Sequence, residues 1–174
     1  MEMNSVATVI DTMLRRRSVR SYKADPVPDA ILEDVLRVGM NAPSAANQQP
    51  WHFVVIKDRK VLDSITAFHP YAAALKSAPV AIVVCGKPEG QFKEWWPQDC
   101  SAAVQNMLLA ATVHGLGSLW IGIHSDPGRE ENLGALIRVP SGVLPFAIVA
   151  LGYSEKPTEK ADRFDKTRIH RETW

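Results

Sequence analysis

The densest chemistry in this 174-residue chain lies at Arg15-Arg16-Arg17-Ser18-Val19-Arg20. Its guanidiniums surround one hydroxyl, a set that can clamp a dianion such as a phosphate through forked, charge-assisted hydrogen bonds. Basic groups at a helix C-terminus also complement the helix dipole without any ligand. A second polar concentration runs from Asn41 to Pro50 and feeds the apolar run Phe53-Val54-Val55-Ile56. Pro43 and Pro50 stiffen it, while Ser44, Asn47, Gln48 and Gln49 offer donors and acceptors without charge. Such a loop suits a planar heterocycle with several hydrogen-bonding edges, although an ordinary solvated turn has the same composition.

Other constellations fail on spacing. Gly115-Leu116-Gly117 is half a dinucleotide fingerprint, but it follows a helix and precedes a strand, the reverse of the order a phosphate-binding helix needs. The histidines at 52, 69, 114, 124 and 170 show no metal-ligand spacing, and each reads as structural or surface. There is no Gly-x-Ser-x-Gly elbow and no carboxylate pair selected by spacing. No catalytic side chain and no metal ligand is therefore expected, and any chemistry falls to a bound cofactor.

The elements that must position these groups follow from periodicity. Ser5–Arg16 carries one apolar stripe, with Asn4 or Ser5 as N-cap. Pro28 opens a helix that reaches about Met40. Phe53–Ile56 reads as a buried strand, and Asp58 caps a short helix to about Phe68. Tyr71–Ser77 is alanine-rich and expected to be helical. Pro79–Cys85 reads as a strand buried on both faces, with Cys85 a small buried hydrophobe. Gly86–Pro97 is a loop in which Trp95 and Trp96 are not both expected in the core; they suit a lid, a stacking surface or a subunit contact. Asp99–His114 is apolar nearly all round, hence central, and such helices often form oligomer cores. A third strand is expected at Ser118–Ile121, a helix at Pro127–Ile137 and a fourth strand at Leu144–Leu151. The tail Arg168–Trp174 holds Ile169 and Trp174 among charges, a pattern that suits packing on a partner subunit.

The bulk numbers narrow the class. An apolar content of 46% supports a sizeable core, and the length suits one domain spanning residues 1–174. A net charge of +1 argues against a nucleic-acid partner held by bulk electrostatics. No apolar run reaches membrane-spanning length, Asp11 and Arg15–Arg17 interrupt any signal-like region, and the cysteines are too few for a disulfide framework. A cytoplasmic, membrane-free protein is expected.

Four segments in order resemble the flavin-dependent nitroreductase family: Arg16-Arg17-Ser18-Val19-Arg20; Pro43 through Phe53; Gly115-Leu116-Gly117-Ser118-Leu119-Trp120-Ile121-Gly122; and Leu151-Gly152-Tyr153 with the basic segment beyond. The resemblance implies an α+β fold, a mostly antiparallel sheet flanked by helices. It also implies a homodimer with FMN at the interface, the Asp99–His114 helix in the dimer core, and a tail from about 154 to 174 that adds a strand to the partner's sheet. Arg16, Arg17, Ser18 and Arg163 would hold the FMN phosphate, and Arg20 would reach the pyrimidine edge of the flavin. Pro43, Ser44, Asn47 and Gln49 would contact ring and ribityl chain from the other subunit, and backbone at Ile121 and Gly122 would face the reactive edge. The implied activity is ping-pong hydride transfer from NADH or NADPH through the flavin to a small-molecule acceptor such as a nitroaromatic or quinone. A specialised flavoenzyme of the same fold and a non-catalytic FMN-binding dimer are the alternatives. The chain departs from the family at Ala72-Ala73-Ala74-Leu75-Lys76, where many members have an Asn and a Lys; at the short Gly86–Pro97 link; and at Gly122, where some members have Glu.

Overall fold

Two central strands are apolar on both faces, and this dictates helices above and below the sheet. In the computed structural model, which describes residues 3–174 and side chains from Val9 onward, the sheet order is β1-β2-β4-β3. The strands are β1 (Trp51–Ile56), β2 (Val80–Gly86), β3 (Gly117–Gly122) and β4 (Leu144–Gly152). All neighbours are antiparallel, with Trp51 opposite Gly86, Val80 opposite Leu151, and Gly117 opposite Gly152. The helices are α1 (Met3–Arg15), α2 (Asp29–Met40), α3 (Arg59–Phe68), α4 (Trp96–Val113) and α5 (Pro127–Ile137). The α+β expectation holds.

The pleat separates two cores. Val80, Ile82, Val84, Ala147, Val149 and Leu151 face α2 and α4, where Leu32, Val35, Ala103, Val104 and Met107 meet them. Ala81, Val83, Cys85, Ile148 and Ala150 face the other way, against Leu62 and Ile65 of α3 and Leu133 of α5. Burying each large aliphatic side chain contributes about 1.5–3 kcal/mol, so these runs fix the register as well as the stability.

Local chemistry sets the helix ends. Asp58 accepts from the Lys60 N–H at 2.8 Å to start α3, and Asp126 accepts from the Arg129 N–H at 3.1 Å to start α5. Pro127 opens α5, and Arg138, in the left-handed region at φ 57°, ends it. The second and fourth strands and α5 fall where periodicity put them.

Four expectations need correction. β1 is not buried: Val54 and Val55 are 36% and 40% exposed, because β1 is an edge strand and only Trp51 and Ile56 are fully covered. Tyr71–Ser77 contains only a 3-10 turn at Ala73–Lys76. The long helix starts at Trp96 rather than Asp99, with Pro97 in its first turn. Helix α1 begins at Met3, so Asn4 and Ser5 lie within it; their side chains fall outside the described residues. The Trp95–Trp96 pair splits: Trp96 is buried against Phe146 and His124, while Trp95 is half exposed. Gly86 makes the Trp96 position possible, since a Cβ there would meet the indole at 2.1 Å.

Candidate functional site

The basic cluster begins where α1 ends. Arg16, Arg17 and Arg163 line one cavity of about 320 Å³, floored by Met13, Leu14 and Phe164. The fold thus brings together two arginines and a third far along the chain. Among the described residues, guanidinium ion pairs belong to Arg15, Arg37, Arg59, Arg129 and Arg168, so the three at the cavity keep their charge for another partner. Asp162 shares the cavity and offsets part of that charge, though its carboxylate already accepts from the Phe164 N–H at 3.1 Å. An open cavity lined by three cations beside exposed apolar side chains fits a phosphate group at the end of a larger molecule.

From this cluster the chain meets β3. Ser18 bridges Ser118, and the Val19 N–H donates to the Ser118 carbonyl at 2.9 Å. That bond shows which way the strand points. Along a strand, N–H and C=O of one residue aim to the same side, and sides alternate. Ser118, Trp120 and Gly122 therefore direct their peptide groups away from β4, off the edge of the sheet. Ile121 is buried and directs its own toward β4. Gly122 is open: a Cβ there would meet nothing within 4 Å. The edge between Ser118 and Gly122 runs roughly 13 Å at 3.3 Å per residue. Arg20 is exposed and folds back, its Nη1 3.4 Å from the Ser18 carbonyl.

The Asn/Gln loop is built differently. Ala46, Asn47 and Gln49 have φ of 48°, 56° and 50°, so this short stretch is strained in the left-handed region. Its own groups hold it there. The Gln49 N–H donates to Ser44 Oγ at 3.0 Å, and Gln49 Nε2 donates to Asn47 Oδ1 at 2.9 Å. The Ala45 N–H donates to Asp99 Oδ1 at 3.0 Å, tying the loop to the first turn of α4. Asp99 Oδ2 is buried and unpartnered among the described residues. Gln48 Oε1 accepts from the Phe92 N–H at 3.3 Å. Pro43, Asn47 and Gln49 remain exposed and Ser44 half-buried, a neutral surface of amide and proline.

These two groups do not meet within one chain. The loop is latched at Asp99, near the start of α4. Arg17 shares a small cleft with Thr112 and Gly115, at the other end of that helix. Asp99 and Thr112 are roughly 20 Å apart at 1.5 Å per residue. Gly122 lies nearer the loop end but on the opposite sheet edge, roughly 14 Å away across three strand spacings.

Sequence reasoning missed one group at this edge. His69 is 2% exposed, and its Nε2 lies 2.8 Å from the Gly122 carbonyl. The Tyr71 N–H donates to its Nδ1 at 3.2 Å. A carbonyl only accepts and a peptide N–H only donates, so these partners select the neutral tautomer with the proton on Nε2. His69-Pro70-Tyr71 carries no spacing signal for this, because its partner is 53 residues away.

The nitroreductase family model matches residues 13–70 and 67–153 of this chain. A protein of Methanothermobacter thermautotrophicus, provisionally named NADH dehydrogenase/NAD(P)H nitroreductase, is 41% identical over 167 residues, covering 95% of this chain and 87% of the relative. A protein of Archaeoglobus fulgidus with the same name is 42% identical over 164 residues, covering 91% and 94%. Among solved structures, a provisionally named NADH oxidase from Clostridium acetobutylicum superposes with a TM-score of 0.91 at 41% identity, covering 94% of this chain and all of that one. A provisionally named nitroreductase from Desulfovibrio desulfuricans, solved in complex with FMN, superposes at 0.80 with 30% identity, covering 95% and 97%.

Proposed function

The chain belongs to the nitroreductase family, and from that premise we propose that it is an FMN-dependent oxidoreductase. It takes hydride from NADH or NADPH and delivers it to a small-molecule acceptor such as a nitroaromatic or quinone. The observation that carries this reading is the union of Arg16, Arg17 and Arg163 in one cavity, at the start of the edge strand whose far end exposes the Gly122 backbone.

When bound, FMN supplies the two-electron chemistry that the side chains lack. The residues grip and align. Arg16, Arg17 and Arg163 neutralise the phosphate, and Ser18 adds a hydroxyl and a peptide N–H beside it. Arg20, now against the Ser18 carbonyl, would serve the pyrimidine edge, where a cation stabilises negative charge. The Gly122 N–H donates toward the reactive edge. Ile121 serves by holding that peptide in register with β4 rather than by its own N–H. Pro43, Ser44, Asn47 and Gln49 of a second copy contact the ring and ribityl chain from the opposite side. One open face would then serve donor and acceptor in turn, which is the ping-pong order.

A homodimer is part of the reading because the two groups are too far apart in one chain to share one flavin. Two surfaces support it. Val9 and Met13 of α1, Val38 of α2 and Val113 of α4 are exposed and line a mostly apolar cavity of about 620 Å³, and Ile10, Leu14 and Met40 on the same helices are exposed too. Beyond β2, nothing among the described residues pairs with β1, so its outer edge is free to take a strand from a partner's tail. We take residues 1–174 as one FMN-binding domain, with about 154–174 as the dimer arm, and its site of action as the cytoplasm. No helix among the described residues is long and apolar enough to cross a membrane.

The direct test is the absorbance of the purified protein before and after adding FMN. Stoichiometric yellow binding is expected, together with NADH or NADPH oxidation that accelerates on adding a nitroaromatic or quinone. A protein that is colourless as purified and retains no FMN once the excess is removed overturns the proposal.

A further inference from the structure

We propose that His69 is a positioning residue for the Gly122 peptide, setting the geometry of the outward N–H at the end of β3. The inference rests on the reading that Gly122 faces the flavin, and adds which group in this chain fixes it there.

Edge strands fray because their outer peptide groups lack partners, and the last residue of an edge strand frays most. Gly122 is the last residue of β3 and a glycine, so its own torsions are the softest on the edge. The peptide group that follows it is held on its inner side, where the Ile123 N–H donates to the Phe146 carbonyl at 3.1 Å, and His69 holds its outer side. The N–H and C=O of Gly122 share the outward side. A bond that pins the carbonyl therefore restricts the ψ of Gly122 and, through it, the plane from which the N–H projects. His69 supplies that bond at 2.8 Å while leaving the N–H free. The imidazole is itself held from behind: the Tyr71 N–H donates to Nδ1, and burial removes competing water. This two-sided anchoring is more than the turn after α3 needs, since the Ala72 N–H already donates to the His69 carbonyl at 3.1 Å and the His69 N–H to the Ile65 carbonyl at 3.1 Å. The ring crosses to the far strand as well.

Two substitutions separate the ring's two bonds. His69→Asn places an acceptor near the Nδ1 position, preserving the Tyr71 contact while losing the reach to Gly122. His69→Gln places a donor near the Nε2 position and restores that reach. For His69→Asn we expect an FMN dissociation constant within about threefold of wild type, since the phosphate clamp is untouched, and kcat reduced about 10- to 100-fold with KM little changed, as for a misplaced aligning group. The visible bands of its bound FMN should shift, and His69→Gln should recover most of both the spectrum and kcat. Equal damage in the two variants, whether loss of folding or of FMN, assigns His69 a purely structural role and overturns the inference. Wild-type spectra and kcat in both overturn it too. Wild-type protein that binds no FMN sinks the functional reading instead, so the two failures are distinct.

Discussion

On the proposed reading, the β3 edge and the loop before β1 answer the same problem, gripping one ligand, by opposite means. The edge is charged and regular: three guanidiniums without an ion pair among the described residues at one end, a run of outward peptide groups, and an open glycine at the other. The loop is neutral and irregular. Consecutive left-handed residues hold it, its amides bond one another, and a buried carboxylate latches it to α4. Charge holds a phosphate through long-range attraction and tolerates some freedom of the side chains. A ring edge must be met by donors and acceptors already in place, which calls for a rigid loop satisfied from within. The edge should therefore dominate affinity for the phosphate and the loop affinity for the ring.

The sharpest way to break this division is to compare FMN with riboflavin, which lacks the phosphate. The double variant Arg16→Ala, Arg17→Ala removes charge-assisted bonds worth about 1.5–3 kcal/mol each, so FMN affinity should fall about 10²- to 10⁴-fold. Riboflavin affinity should barely change. Fluorescence titration of both ligands checks it; an equal loss for both would show that the arginines do not read the phosphate.

The complementary experiment cuts the latch. Asp99→Ala removes the acceptor for the Ala45 N–H, a buried bond to a charged group worth about 1.5–3 kcal/mol. FMN and riboflavin affinities should both fall by about tenfold, and by the same factor. A loss confined to FMN would place the loop on the phosphate side and reverse the comparison.

The two regions also differ in how much of them the residues announced. The arginines and the amide loop stood out as concentrations of one kind of group, although a helix end and a solvated turn can have the same composition, whereas β2, β4 and α5 were legible because long apolar runs and an Asp-Pro start leave little choice. The edge position of β1 was not legible: Val54 and Val55 look the same whether a neighbour covers them or not, and strand order is set by long-range pairing. The separation of Trp95 from Trp96 depends on Gly86, ten residues away, leaving room for one indole. His69 was invisible because its role is defined by a carbonyl from another strand.

Alkaline titration separates what lies beneath each region. Burial pushes the Cys85 thiol up to about 11 and, with the Asp99 charge adding to it, the Cys100 thiol to about 12. Cys100 follows Asp99 in α4, and its thiol faces the Cys85 carbonyl at 3.9 Å. Tyr22, buried where its hydroxyl donates to the Val19 carbonyl at 2.8 Å on the arginine side, is also raised by burial. A raised folded value stabilises fully below the unfolded value and is lost as pH rises through the folded one. The thiol contribution is thus intact below about pH 9.0 and declines above it, whereas that of Tyr22 begins to decline only above about 10.0. Denaturant midpoints of wild type and Cys100→Ala between pH 8 and 10 test this: the variant should show the shallower decline (both pH values set roughly by the ordinary thiol range).

The smallest expected effect is the most diagnostic of the loop's design. Ala46 sits at φ 48°, ψ 28°, where a Cβ costs about 1–2 kcal/mol. Ala46→Gly relieves that strain, but it also frees the unfolded chain, which destabilises by about 0.4–1 kcal/mol. The two nearly cancel, so the thermal midpoint should move by no more than a few degrees upward. Ligand binding has no such compensation. A glycine there widens the conformations the free loop samples, and ordering it again on the ring carries an entropic cost that alanine avoids. FMN and riboflavin should both bind about two- to threefold more weakly, at unchanged or slightly raised stability. Tighter binding in Ala46→Gly would mean that the left-handed turn is strain to be relieved on complex formation rather than the shape the ring requires.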